Sequence, residues 1–249
     1  MAKFHNRKFK PFYLPWLRQR RELANFSVTD AYTKPLATSL KINLTMELDK
    51  KKHWQTVYET KKPNQVSWTQ EIPKTSLEFI HSFRLNKSAK IIDVGGGDSK
   101  LVDYLLEEGF ENVTVLDISS TSLERAKIRL GEKANKVNWI VSDITEFEPN
   151  MTFDVWHDRA AFHFLTTTDQ IKKYIQTARN SVNGFLIIGT FSKNGPEKCS
   201  GLEIKQYNET ELTSELENAF VKIKCVTEDH ITPFDTIQNF LFCSFQKDN

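Results

Sequence analysis

Between residues 90 and 246, short apolar runs rich in β-branched and aromatic residues alternate with longer segments whose apolar positions recur every three or four residues. The runs predict strands ending at Gly95 and spanning 112–118, 137–143, 153–157, 184–191, 221–228 and 238–246. The helical spacing predicts helices over 98–109, 121–131, 167–182 and 208–220. In the third helix Ile171, Tyr174, Ile175, Ala178 and Val182 form one stripe, and Asn183-Gly184 reads as its C-terminal cap. In the fourth, Asn208 followed three positions later by Glu211 reads as a capping box. A shorter helix from Lys50, bearing Trp54 and Tyr58, leads through Lys61-Lys62-Pro63-Asn64 and Val66-Ser67-Trp68 to a helix around Ser76 to Phe83, a preface expected to lid a ligand. Alternation of this kind predicts an α/β fold with a mostly parallel sheet covered on both faces. The last two strands have no helix between them, so a hairpin with an antiparallel final strand is expected.

Two segments turn this scaffold into a ligand site. The first strand runs through Ile91, Ile92 and Asp93 into Gly95-Gly96-Gly97, where missing Cβ atoms let backbone approach a ligand. The second ends in Asp117, 22 positions beyond Gly95, near the spacing of about 20 at which an acid meets a ribose hydroxyl in βαβ cofactor sites. A dinucleotide is disfavoured, because the third glycine of that fingerprint is replaced by Lys100. Asp93 also precedes the first glycine by two positions, where it would repel a pyrophosphate but suit an amino group. A ligand with ribose and ammonium groups but no phosphate matches S-adenosylmethionine.

With these residues the chain resembles the class I S-adenosylmethionine-dependent methyltransferases, whose first motif is acid-x-Gly-x-Gly-x-Gly. Here it reads Asp93-Val94-Gly95-Gly96-Gly97-Asp98-Ser99. Ser99 stands for the last glycine, as it also does in methyltransferases that act on lysines of translation factors. The resemblance covers about Lys50 to Gln246 and implies a Rossmann-like, seven-stranded sheet of order 3-2-1-4-5-7-6. It implies that Gly95 and Gly97 line the methionine moiety, whose amino group Asp93 would hold directly or through water, that Asp117 binds the ribose hydroxyls and that Ile118 packs on adenine. Asp143, with Ile144 beside it, is implied to meet the adenine amino group. The segments Trp156 to Thr166 (WHDRAAFHFLT), Gly195 to Leu202 (GPEKCSGL) and His230 to Pro233 (HITP) resemble a narrower group of small, mostly bacterial methyltransferases.

Ligands of open α/β sheets sit beyond the carboxyl ends of the strands where strand order reverses. The fourth strand ends there at Trp156-His157-Asp158-Arg159, making His157, Asp158 and Arg159 the candidate catalytic residues. His157 is the first candidate for a base, since an ordinary imidazole is largely neutral at physiological pH; the competing role is a ring hydrogen-bonded to hold its loop. Asp158 and Arg159 are expected to pair with each other or with neighbours, a structural ion pair being favoured over catalysis for both, and His163, before Phe164 and Leu165, to be packed. Trp68 is expected to wall the cofactor cavity, Trp54 and Tyr58 to be core, Cys199 to shape the acceptor pocket, and His230 to be an exposed loop histidine near Gln238. No histidine pair has the short spacing of a ligand set, so no metal is expected.

Composition narrows the partners. Residues 1–45 carry nine Lys or Arg against Glu22 and Asp30, +7 of the chain's net +2, so the remaining 46–249 carry −5. The mildly acidic catalytic region offers no footprint for nucleic acid, and the apolar runs are too short to cross a bilayer. A small-molecule or protein side-chain acceptor, a monomer and a soluble cytoplasmic protein are expected. The basic extension 1–45 is expected to be poorly ordered, with a mitochondrial presequence as the alternative, since its first 21 residues contain no acid. The three cysteines, Cys199, Cys225 and Cys243, show no paired spacing, so no disulfide is expected and a reducing compartment fits. A non-catalytic cofactor-binding scaffold is the rival to an enzyme.

Overall fold

A computed structural model describes residues 50–248; the N-terminal extension and the roles expected of it lie outside the described residues. A seven-stranded sheet organises them, built from β1 (Lys90–Val94), β2 (Asn112–Asp117), β3 (Val137–Val141), β4 (Phe153–Arg159), β5 (Val182–Phe191), β8 (Phe220–Ile231) and β9 (Ile237–Lys247). Its order is β3-β2-β1-β4-β5-β9-β8, parallel through β5, with β9 antiparallel to both β5 and β8. A two-stranded ribbon, β6 (Lys198–Cys199) with β7 (Leu202–Glu203), sits in the connection after β5 and accounts for the shift in numbering; otherwise this is the expected 3-2-1-4-5-7-6 order.

The continuous apolar strands reflect burial on both faces. On one face Ile91, Val113, Val115, Val155 and Ile187 pack with α2 (Lys74–Ser82), α3 (Leu101–Glu107) and α4 (Ser120–Leu130). On the other, Ile92, Val94, Leu116, Trp156, Leu186 and Ile188 pack with α5 (Thr168–Ser181) and α6 (Glu209–Leu216). Because side chains alternate along a strand, consecutive residues such as Ile91 and Ile92 enter opposite cores. The helices start where polar caps allow. Ser119 caps α4 by accepting from Ser122 N, Thr167 and Gln170 form a reciprocal box on α5, and Asn208 with Glu211 does the same on α6.

Two sequence expectations fail here. Asn183-Gly184 is no cap: α5 ends when Val182 takes extended backbone, with its N–H still bonded to Ala178 O, and β5 begins at once. Gly184 lies within β5 because a Cβ there would overlap the carbonyl of Asp154. Cys225 and Cys243 are disulfide-bonded. They are 18 positions apart in the chain yet direct register partners across β8 and β9, a proximity that linear spacing hides. With that bond goes the support that unpaired cysteines lent to a reducing compartment. No described helix is long and apolar enough to cross a membrane.

Candidate active site

Chain order reverses at β1, which pairs with β2 on one side and β4 on the other, and a cavity opens beyond the carboxyl ends of these strands. Helix α1 (residues 50–60) covers it, pinned by Gln55, which bonds Thr121 Oγ1 and accepts from Ser119 Oγ at 3.1 Å. Trp54, Tyr58 and Trp68 all line the cavity, so two aromatics expected in the core are walls instead. Edge-to-face contacts of Trp54 with Trp68 (5.6 Å between centroids) and Phe164 (5.1 Å) fix that wall.

Asp93, Gly95, Asp117, Ile118, Asp143 and Ile144 line the same cavity. The turn after β1 needs glycine twice over. Gly95 and Gly97 have φ of +66° and +51°, and a Cβ on Gly97 would stand 2.7 Å from Tyr58 Oη and 3.2 Å from Asp117 Oδ2. Asp117 Oδ1 accepts from Ser119 N at 2.7 Å, while Oδ2 points across the turn. Burial raises the Asp117 pKa to about 7, partly opposed by hydrogen bonds from Ser119 and Ser122 and reinforced by Asp98 and Asp93. Asp143 Oδ1 accepts from Thr145 N and Oγ1, both at 2.8 Å, a local turn that holds its carboxylate at the cavity. A glycine cradle too tight for any Cβ, beside a buried carboxylate that faces the cavity, fits a ribose-bearing, phosphate-free cofactor such as S-adenosylmethionine.

The end of the cavity beside β4 and α2 holds an arrangement the sequence did not disclose. His157 is 2% exposed; Nδ1 meets Asp93 Oδ1 at 2.7 Å and Nε2 meets Ser76 Oγ at 2.8 Å. The network assigns Nδ1–H donating to the carboxylate and Ser76 O–H donating to Nε2. His157 lines the cavity together with its partner Ser76, a buried residue of α2 that carries no sequence motif. Linear sequence offered no signal for it, because the two residues are 81 positions apart.

Asp158 and Arg159 do not pair. Asp158 is fully buried beneath the site; Oδ1 accepts from Ala161 N and Phe162 N, both at 3.0 Å, and Oδ2 from Tyr174 Oη at 2.9 Å. Burial raises its pKa to about 6, partly opposed by these bonds. Arg159 points the other way, as successive strand residues must. It lines the cavity, donates from Nη1 to Trp68 O at 2.9 Å and lies 4.7 Å from the centroid of Phe240. Burial lowers its pKa to about 10, which leaves it a cation at neutral pH.

His163 is packed as expected, its pKa lowered to about 3 by burial and by Arg159. Cys199 lines the cavity as a neutral thiol, pushed up to about 12 by burial. His230 departs from expectation: it is buried within β8 and bonds Ser67 O at 2.7 Å, while Gln238 is its register partner on β9. No group of three or more potential metal ligands gathers among the described residues.

Residues 91–183 match a methyltransferase-domain family model. An eEF1A lysine and N-terminal methyltransferase of Mus musculus is 26% identical over 37% of this chain and 13% of its own length. A ubiquinone biosynthesis O-methyltransferase of Rickettsia canadensis is 26% identical over 47% of this chain and 49% of its own length. The chain thus spans less than half of either relative. A 1,6-didemethyltoxoflavin-N1-methyltransferase of Burkholderia thailandensis, solved with S-adenosylhomocysteine, has the same fold at 18% identity and TM-score 0.57, over 91% of this chain and 93% of that one. The fold is Rossmann-like and of the class I methyltransferase type.

Proposed function

We propose that this protein transfers a methyl group from S-adenosylmethionine to an acceptor bound beside Ser76 and Arg159. The carrying observation is one cavity that joins the glycine turn, Asp117 and Asp143 to the polar ends of β4 and α2. When bound, the cofactor supplies an electrophilic methyl group on a sulfonium. Asp117 would accept from the ribose hydroxyls, Asp143 from the adenine amino group, with Ile118 and Ile144 against the ring. Gly95 and Gly97 let the backbone meet the methionine end, and Trp68 offers its face nearby.

Asp93, His157 and Ser76 then serve an acceptor that must lose a proton. The acceptor's proton passes to Ser76 Oγ as Ser76 gives its own to His157 Nε2, and the resulting imidazolium faces the Asp93 carboxylate. Asp158 holds the turn after β4 and takes no part in the chemistry. The curated relatives bear names for protein and small-molecule acceptors alike, so their names do not choose between them.

Calorimetry of S-adenosylmethionine binding, paired with release of S-adenosylhomocysteine in the presence of cell extract, tests this reading. Wild type should bind and turn over, Asp117→Ala should lose binding, and Ser76→Ala should bind the cofactor normally while turnover falls about 10²-fold or more. A folded protein that binds no cofactor would overturn the reading.

A further inference from the structure

The acceptor end of the cavity contains a cation whose hydrogen bonding is half complete. Arg159 spends Nη1 on Trp68 O and lays its plane near Phe240, but Nε and Nη2 are shielded from solvent and have no hydrogen-bond partner. Those two nitrogens form the side edge of the guanidinium, whose parallel N–H bonds match the two oxygens of a carboxylate. Leaving such donors buried and unpaired is costly, and a bound anion removes the cost.

At this edge Arg159 is the cation, and Glu228 and Asp93 are the carboxylates whose charges act on it. Burial, helped by Arg159 itself, disfavours protonation of His163 and His230, and Cys199 stays a thiol. Asp93 is engaged by His157. Glu228 faces the guanidinium from β8, in register with Phe240, but forms no ion pair with it; Oε1 accepts from Gln70 at 3.1 Å and Oε2 has no partner. The flat apolar faces of Trp54, Trp68 and Phe164 complete the wall.

Resting on the methyltransferase reading, we infer that the acceptor is a small molecule with a planar apolar body and a carboxylate, the carboxylate seated on the Nε–Nη2 edge of Arg159 after a small shift of that side chain.

Benzoate and the isosteric, neutral benzamide serve as probes on the full chain saturated with S-adenosylhomocysteine, read by quenching of tryptophan fluorescence. Benzoate should bind about tenfold or more tighter than benzamide. Arg159→Met should erase that preference, Arg159→Lys should keep part of it because charge survives without the fork, and Glu228→Gln should strengthen benzoate by removing the competing carboxylate. Calorimetric affinity for S-adenosylhomocysteine is the folding control for each variant. Equal binding of the two probes, binding of neither, or benzoate binding untouched by Arg159→Met overturns this inference while the methyltransferase reading stands. Absence of S-adenosylhomocysteine binding in wild type overturns both.

Discussion

At the scale of single residues, environment rather than identity separates the carboxylates of this site. Asp117 and Asp158 are both buried, but Asp158 is met by three donors and Asp117 faces a cavity. Because burial raises the Asp117 pKa to about 7, against about 3.9 in an unfolded chain, the stability it contributes is full below about pH 4 and is lost as pH rises toward 7. Ribose hydroxyls donate to the ionised form, so cofactor binding should run the opposite way. Affinity measured by calorimetry is expected to fall as pH drops from 8 to 6, and Asp117→Asn should be weak and flat over that range. Asp158→Ala, which strands two backbone N–H groups and the Tyr174 hydroxyl, should cost about 3 kcal/mol in denaturant unfolding. The Gly95–Gly97 turn and Asp117 were legible because backbone sterics and cofactor chemistry constrain them within one short stretch. Ser76, the burial of His230 and the separate fates of Asp158 and Arg159 were not, because each depends on which strand neighbour folds against it.

At the scale of elements, hydrophobic period recovered every strand of the main sheet, and the capping boxes of α5 and α6 were readable from two polar residues each. Element ends were less so. The α5-to-β5 junction needs no left-handed residue, and a glycine required by the neighbouring Asp154 carbonyl imitated a cap. The ribbon of β6 and β7 is two residues a side, too short to carry a period. Thr167→Ala should lower stability by about 1 kcal/mol in denaturant unfolding without touching cofactor affinity, since the cap lies outside the cavity. Gly97→Ala should do the reverse: its φ of +51° and the approach of Tyr58 would displace the lid, and cofactor binding should weaken about tenfold or more while the sheet stays folded.

At the scale of the whole molecule, one half of the sheet frames the cavity and the other ends in a hairpin that packs against Arg159 through Phe240. The parallel half, β3-β2-β1-β4, carries the glycine turn and the acids, a division visible in the sequence because crossover helices impose it. The antiparallel half was visible as a hairpin, but the face shared by Glu228, His230, Gln238 and Phe240 was not, because it exists only once the register is set. That same hairpin is stapled at Cys225 and Cys243. Two preparations of this protein, one stored in a thiol reagent and one in air, are thus chemically different molecules along the strands that face Arg159. Acceptor affinities taken from them belong to separate species, and a thiol titration of each sample is the first thing to record beside any such value.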